Sequence, residues 1–238
     1  MTLLDPRAPE ILVVVLARGG SKRLPDKNIR ALEGRTLLER LDVVLSKSPM
    51  GRESVLLSTD SLAIAMEGKR LGWLVPFLRP AALATDHASS VDAVLHAVDW
   101  WKEQKGLDPA IVLLMQPTSP FRRPSDITAA LTRLAASSEL NAVIGAADLH
   151  RSASSLFRAD STGMLLALED TTGSTIYTPN GSLYAIRTRA LREEMTFVPS
   201  RTSFIVMDAI RSIDVDGPCD WLVAEAVATR LEMDADEG

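Results

Sequence analysis

Cysteine is nearly absent from this 238-residue chain; Cys219 stands alone. One thiol rules out an intrachain disulfide and a thiolate metal cluster. Histidine is almost as scarce, and His87, His96 and His150 lie too far apart in sequence for zinc-ligand spacing. Aromatic residues make up 5%, and the tryptophans at 73, 100, 101 and 221, read as helix or strand positions, suit a core or an interface better than a base-stacking platform. The first apolar run, ILVVVL at 11–16, is far too short to span a bilayer. The residues before it lack the layout of a signal peptide, so a cytoplasmic location is expected. Positive charge does not dominate either: 26 Lys and Arg against 31 Asp and Glu leave −5. That balance argues against bulk attraction to nucleic acid or anionic membranes, so an anionic substrate needs a local basic patch.

What is present is an ordinary globular composition, 46% hydrophobic, at a length suited to one large α/β domain over 1–238. Apolar runs at 11–16, 54–58, 110–115 and 142–146 read as buried strands, because they are continuously apolar rather than alternating. Amphipathic segments at 36–46, 61–71, 91–104 and 126–136 read as helices between them. The alternation predicts a mostly parallel sheet with helices on both faces. After Leu149 short segments such as 155–157 and 164–168 are broken by Gly, Ser, Thr and Asp, which predicts a hairpin-rich insert over about 149–180. Regular structure resumes at 182–186 and 204–207. A last helix is expected over about 220–231, followed by a frayed acidic tail.

In such sheets ligands sit beyond the carboxyl ends of the strands. The first strand is followed by ARGGSKRLPDKNIRAL, which carries Arg18, Lys22, Arg23, Lys27 and Arg30 beside Gly19-Gly20. A basic, flexible loop there can cradle a triphosphate; a solvated basic surface loop is the plainer alternative. Neither the Walker A nor the GxGxxG spacing occurs, which disfavours a dehydrogenase. RPAALATDHASS at 79–90 can cap a helix through Ser89 or Ser90. QPTSPFR from Gln116 is a stiff turn ending the strongest strand. SIDVDG places Asp214 and Asp216 at alternate positions; on a strand both would share one face, where a hard cation such as Mg²⁺ relieves their repulsion. A solvated pair at a strand edge is the alternative. Asp220 is a candidate N-cap before Trp221.

These segments resemble, in order, the CMP-sialic acid synthetase (acylneuraminate or nonulosonic acid cytidylyltransferase) family. The first loop resembles the signature A-R-x-x-S-K-x-x-x-x-K-N. Ser58-Thr59-Asp60, RPAALATDHASS, LLMQPTSPFR, Asn180-Gly181 with Tyr184, and SIDVDGPCD follow, so the resemblance runs from about 11 to 231. It implies a Rossmann-like sheet of the nucleotide-diphospho-sugar transferase type, with the insert serving dimerisation. It implies CTP and a small acidic acceptor as substrates, a homodimer, and CMP transfer with release of pyrophosphate. By resemblance Ala17, Arg18, Ser21, Lys22, Lys27, Asn28, Arg79, Ala88 and Ser90 bind nucleotide. Gln116, Asn180, Gly181 and Tyr184 meet the acceptor, and Asp214 and Asp216 hold Mg²⁺. Arg18 and Lys27, with the two aspartates, are the implied catalytic residues.

The chain departs from the family pattern on the acceptor side. Thr178 stands where members often carry arginine, Ser155 where a lysine is common in the insert, and 170–173 read DTTG in place of a basic stretch. Losing a cation opposite a carboxylate costs about 1–3 kcal/mol, and Arg123, Arg151 and Arg158 are candidate replacements. The acceptor expected is a sialic-acid-like nonulosonic acid. A different acidic acceptor such as a phosphonate, or a catalytically silent nucleotide-binding relative, are the alternatives.

Overall fold

The computed structural model describes residues 10–151, 153–159, 161, 164–167 and 175–236. The DTTG segment at 170–173 lies outside them. Strand β1 (Ile11–Leu16) leads into the basic loop, a small hairpin β2 (Ala31–Leu32) and β3 (Arg35–Thr36), and helix α1 (Leu37–Ser46). There follow β4 (Val55–Ser58), α2 (Leu62–Arg70), α3 (Ser90–Lys105), β5 (Ile111–Met115), α4 (Pro124–Ala135) and β6 (Ala142–Asp148). A two-stranded hairpin, β7 (Phe157–Ala159) with β8 (Leu165–Ala167), precedes the long β9 (Tyr177–Arg187). The chain closes with α5 (Thr188–Glu194), β10 (Thr202–Val206) and α6 (Pro218–Asp236). None of the helices, searched over the described residues, is long and apolar enough to cross a membrane.

The central sheet runs β10-β6-β9-β5-β1-β4. β1 pairs parallel with β4 and β5, and β6 with β10; β9 is antiparallel to both β5 and β6. The sheet is therefore mostly parallel, with one reversed strand near its middle. Its continuous apolar runs have a direct cause. Ile11, Val13 and Val15 pack into one core with α1 and α4, while Leu12 and Val14 pack into a second core with α3. A strand covered on both faces has no solvent side to keep polar.

Several sequence expectations need correction. Asp214 and Asp216 lie on an irregular segment, not a strand. Val215 between them is fully buried, and its N–H donates to the Thr118 carbonyl at 2.8 Å. The alternation of in and out survives without a ladder, so both aspartates still face one way. Asp220 lies inside the first turn of α6 rather than at its cap; its carboxylate reaches back to the N–H groups of Asp216 (3.0 Å) and Gly217 (2.7 Å). Asp126 is likewise the third residue of α4, reaching back to Arg123 N. α6 continues past Leu231 to Asp236 instead of fraying there. Trp73 belongs to neither helix nor strand; it is buried in a loop with its Nε1–H on Asp42 at 2.9 Å.

Candidate active site

The basic loop is anchored before any ligand is considered. Ala17 N–H donates to Ser58 O at 3.2 Å and Gly19 N–H to Asp60 Oδ1 at 2.9 Å, so the residues after β1 are tied to those after β4. A Cβ on Gly19 would lie 2.7 Å from Ser61 Cβ, which restricts that close approach to glycine. Asn28 is buried, and its Nδ2–H donates to Arg18 O at 3.2 Å. Its Oδ1 has no partner.

Two adjoining clefts lie at the carboxyl ends of the parallel strands, each of about 240 Å³. They share Arg18, Arg79 and Ser90. Each alone is smaller than the usual 300–1,000 Å³ small-molecule site, but two clefts with common walls form one groove of that order. The first is lined by Lys27, Asn28, Gln116, Thr118, Asp214 and Asp216 besides the shared residues. The second is walled by the 83–90 segment, Ala88 included. Ser89 caps α3, accepting from Val91 and Asp92 N–H, so the positive end of that helix opens on the groove through Ser90.

The cations are already engaged. Asp86 accepts from Arg18 and from Lys22, both at 2.6 Å. Lys22 and then Arg18 hold the Asp86 carboxyl down to about 2. Lys27 donates to Asp216 Oδ1 at 3.0 Å and Val215 O at 2.9 Å, and Arg23 reaches Asp216 at 3.3 Å. Burial alone would raise Asp216, yet Lys27, Arg23 and Arg18 together keep it below the usual carboxylate range. Asp214 moves the other way. Burial pushes it up and the charges of Asp216 and Asp220 add to that, against the Thr118 hydroxyl and Lys27. Its Oδ1 is buried without a partner.

Arg79 is buried, with Nε on Ser58 Oγ at 3.0 Å and a second nitrogen on Ser58 O. Burial lowers its pKa, opposed by Asp60. On the acceptor side, β9 bulges: Ile144 faces Tyr184 and Ala146 faces Pro179, leaving 180–183 opposite Gly145. Gly181 sits in that bulge at φ +75°, where a Cβ would lie 2.9 Å from Gln116 Oε1 and 3.7 Å from Asp214 Oδ2. Bulges next to sites commonly re-aim the chain in this way.

The residues singled out from sequence do not all converge. Arg18, Lys27, Asn28, Arg79, Ser90, Gln116, Asp214 and Asp216 line the first cleft, and Ala88 the second. Ala17 and Ser21 line neither, and Lys22 is exposed at the rim. Asn180 turns inward, donating to Ser212 Oγ at 3.0 Å and contacting Met207 Sδ, while its Oδ1 accepts from Ser182 N. Tyr184 packs its ring 5.5 Å from Phe197, and burial raises its pKa. Arg123, Arg151 and Arg158 are exposed and line neither cleft in this one chain. Sequence reasoning missed three residues here: Thr118, Asp86 and the buried Arg122. Asp86 was visible only as an acid inside a nucleotide-like segment, and Arg122 only as a cation between apolar Phe121 and the start of α4.

The cytidylyltransferase family model matches residues 12–220. The CMP-N,N'-diacetyllegionaminic acid synthase of Legionella pneumophila is 34% identical over 90% of this chain and 94% of its own. The N-acylneuraminate cytidylyltransferase of Escherichia coli is 26% identical over 90% of this chain, which spans about half (51%) of that longer protein. Among solved structures, a CMP:2-keto-3-deoxy-manno-octonic acid synthetase complexed with CTP superposes with a TM-score of 0.68, covering 93% of this chain and 99% of that one at 16% identity. At that identity the likeness speaks for the fold.

Proposed function

The chain belongs to the cytidylyltransferase family, and on that premise we propose that it transfers CMP from CTP to a sialic-acid-like nonulosonic acid and releases pyrophosphate. It is a nucleotidyltransferase enzyme. The observation that carries the acceptor class is the 34% identity to the legionaminic acid relative across nearly both whole chains. In this reading an acceptor hydroxyl attacks the α-phosphorus, the bond to the β-phosphate oxygen breaks, and the hydroxyl proton passes to solvent. Charge then gathers on the departing pyrophosphate. Arg18, Lys22 and Lys27 are placed to meet it, exchanging Asp86 and Asp216 for phosphate oxygens.

The residues fit a magnesium ion. Asp214 brings a buried carboxylate oxygen with no protein partner, and Asp216 faces the same cleft. Among the described residues no group of three or more His, Cys, Asp or Glu could hold a metal. Mg²⁺ ordinarily takes one or two carboxylates and completes its shell with phosphates and water, so two suffice. When bound there, the ion neutralises triphosphate charge. The proposal includes a homodimer: Phe157, Leu165 and Leu166 are exposed apolar residues on the β7–β8 hairpin, a surface suited to a second copy. It also places the chain in the cytoplasm, with its CTP.

The test is pyrophosphate release from purified protein given CTP, UTP, GTP or ATP with a panel of nonulosonic acids and small phosphonates. We expect release with CTP and one nonulosonic acid, legionaminic types first, and complete loss with EDTA restored by Mg²⁺. Release with a phosphonate alone would move the acceptor; failure to bind CTP in a calorimetric titration would end the cytidylyltransferase assignment. A smaller effect is expected at the rim. Asp86→Asn removes a competitor for Arg18 and Lys22, and exposed pairs are worth up to about 1 kcal/mol, so CTP should bind on the order of threefold tighter. Weaker binding in the same titration would show that Asp86 organises the loop instead.

A further inference from the structure

We propose that Arg122 is a positioning residue for the transfer, its guanidinium holding the 116–119 turn from beneath so that Gln116 and Thr118 keep their direction into the cleft. This rests on the function proposed above.

The turn after β5 carries much of the site. Gln116 reaches toward Gly181, Thr118 O accepts from Val215 N, and both Gln116 and Thr118 line the cleft beside Asp214. Yet its own backbone closes weakly: Ser119 N to Gln116 O is 3.4 Å, beyond the normal range of about 2.7–3.2 Å. Arg122 supplies the closure. It is 4% exposed. Its Nε–H donates to Ser119 O at 3.0 Å and an Nη2–H to Gln116 O, so one planar group bridges the two ends of the turn.

A buried guanidinium is costly, and neutral or apolar residues fill such space more cheaply. Burial pulls it down to about 9, with the charges of Asp214 and Asp126 opposing. Both acids act on it only at a distance, and it makes no hydrogen bond to either. Asp126 is already held by Arg211 at 2.5 Å and by Arg123 N at 2.8 Å. Arg122 Nη1 and Asp214 Oδ1 are both buried and both partnerless, so neither satisfies the other. The bonds Arg122 makes go to the turn. Lysine cannot replace it, because one ammonium on a flexible stem does not span two carbonyls as a rigid fork does.

The experiment compares Arg122→Lys and Arg122→Ala with the wild type, which must first release pyrophosphate. For both variants we expect kcat/KM for the acceptor to fall about fiftyfold, the scale of an ångström-sized misplacement. CTP binding should stay within about threefold of wild type, since Arg18, Arg79 and Ser90 are untouched. Millimolar guanidinium should restore much of the Arg122→Ala activity, and methylammonium should not. A crystal structure of Arg122→Ala should show the turn displaced, and it decides the matter even if the wild type turns over no acceptor, a result that would count against the function instead. Wild-type acceptor kinetics in Arg122→Lys, or a turn and Gln116 unmoved in the Arg122→Ala crystal, overturns the proposal.

Discussion

Asp214→Asn is expected to lower kcat about a thousandfold, the scale on which a positioned group at developing phosphate charge acts, while leaving the metal-free protein at least as stable as the wild type. The two effects share one cause. Asp214 is half-buried beside Asp216, and burial first, then that neighbouring charge, raises its pKa. A carboxyl raised on folding holds its proton more tightly folded than unfolded. Its favourable contribution is therefore present at low pH and is lost as pH rises through the folded pKa. At neutral pH, where an unfolded aspartate is ionised, burying this carboxyl costs stability that a buried asparagine does not. Thermal melts in EDTA at pH 7 should show an equal or higher Tm for the variant, with the gap closing toward pH 4. Asp216 has the opposite sign: lowered by Lys27 and Arg23 against its burial, it contributes stability that is lost as pH falls below the ordinary aspartate value. A lower Tm for Asp214→Asn at pH 7, or turnover within tenfold of wild type, would contradict the assignment of Asp214.

Gly181→Ala is expected to cut acceptor turnover about two-hundredfold by displacing Gln116, while costing only about 1–2 kcal/mol of stability for an alanine at positive φ. Its Cβ would lie 2.9 Å from Gln116 Oε1. The amide can swing away, which keeps the fold, but it then no longer points where the turn aims it. A Gln116→Ala background separates the two costs: there Gly181→Ala should lower Tm as before and subtract little further activity. Equal activity losses in both backgrounds would mean that the amide is not what the new methyl displaces.

The sequence made some of this legible and hid the rest for physical reasons. ILVVVL and AIVLLM announce buried strands because both faces of the sheet are covered, a local property of each run. The basic loop is equally local; five cations in a short stretch need no fold to be seen. The reversal of β9 is not local. Its residues at 182–186 read as a strand, but nothing in them states a direction, which follows from what lies on either side. SIDVDG looked like a strand because alternation of buried and exposed residues is what strands do; here Val215 is drawn inward by the core and by Thr118 O, without a ladder. Asp86 and Arg122 escaped for a third reason. The partners of Asp86 lie 64 and 68 positions away, and those of Arg122 are backbone carbonyls three and six positions before it, which no side-chain pattern reports.

A strand running against its neighbours presents its first residues where the others present their last. The chain leaves the site end of the sheet after β6, makes its excursion through the hairpin, and re-enters at that same end through β9. In the proposed reading the acceptor enters beside this re-entry, whereas the triphosphate belongs with the loops after β1 and β4, which come earlier in the chain. Thr178 lies at that re-entry, at the start of β9 after the excursion rather than in either of the loops that follow β1 and β4.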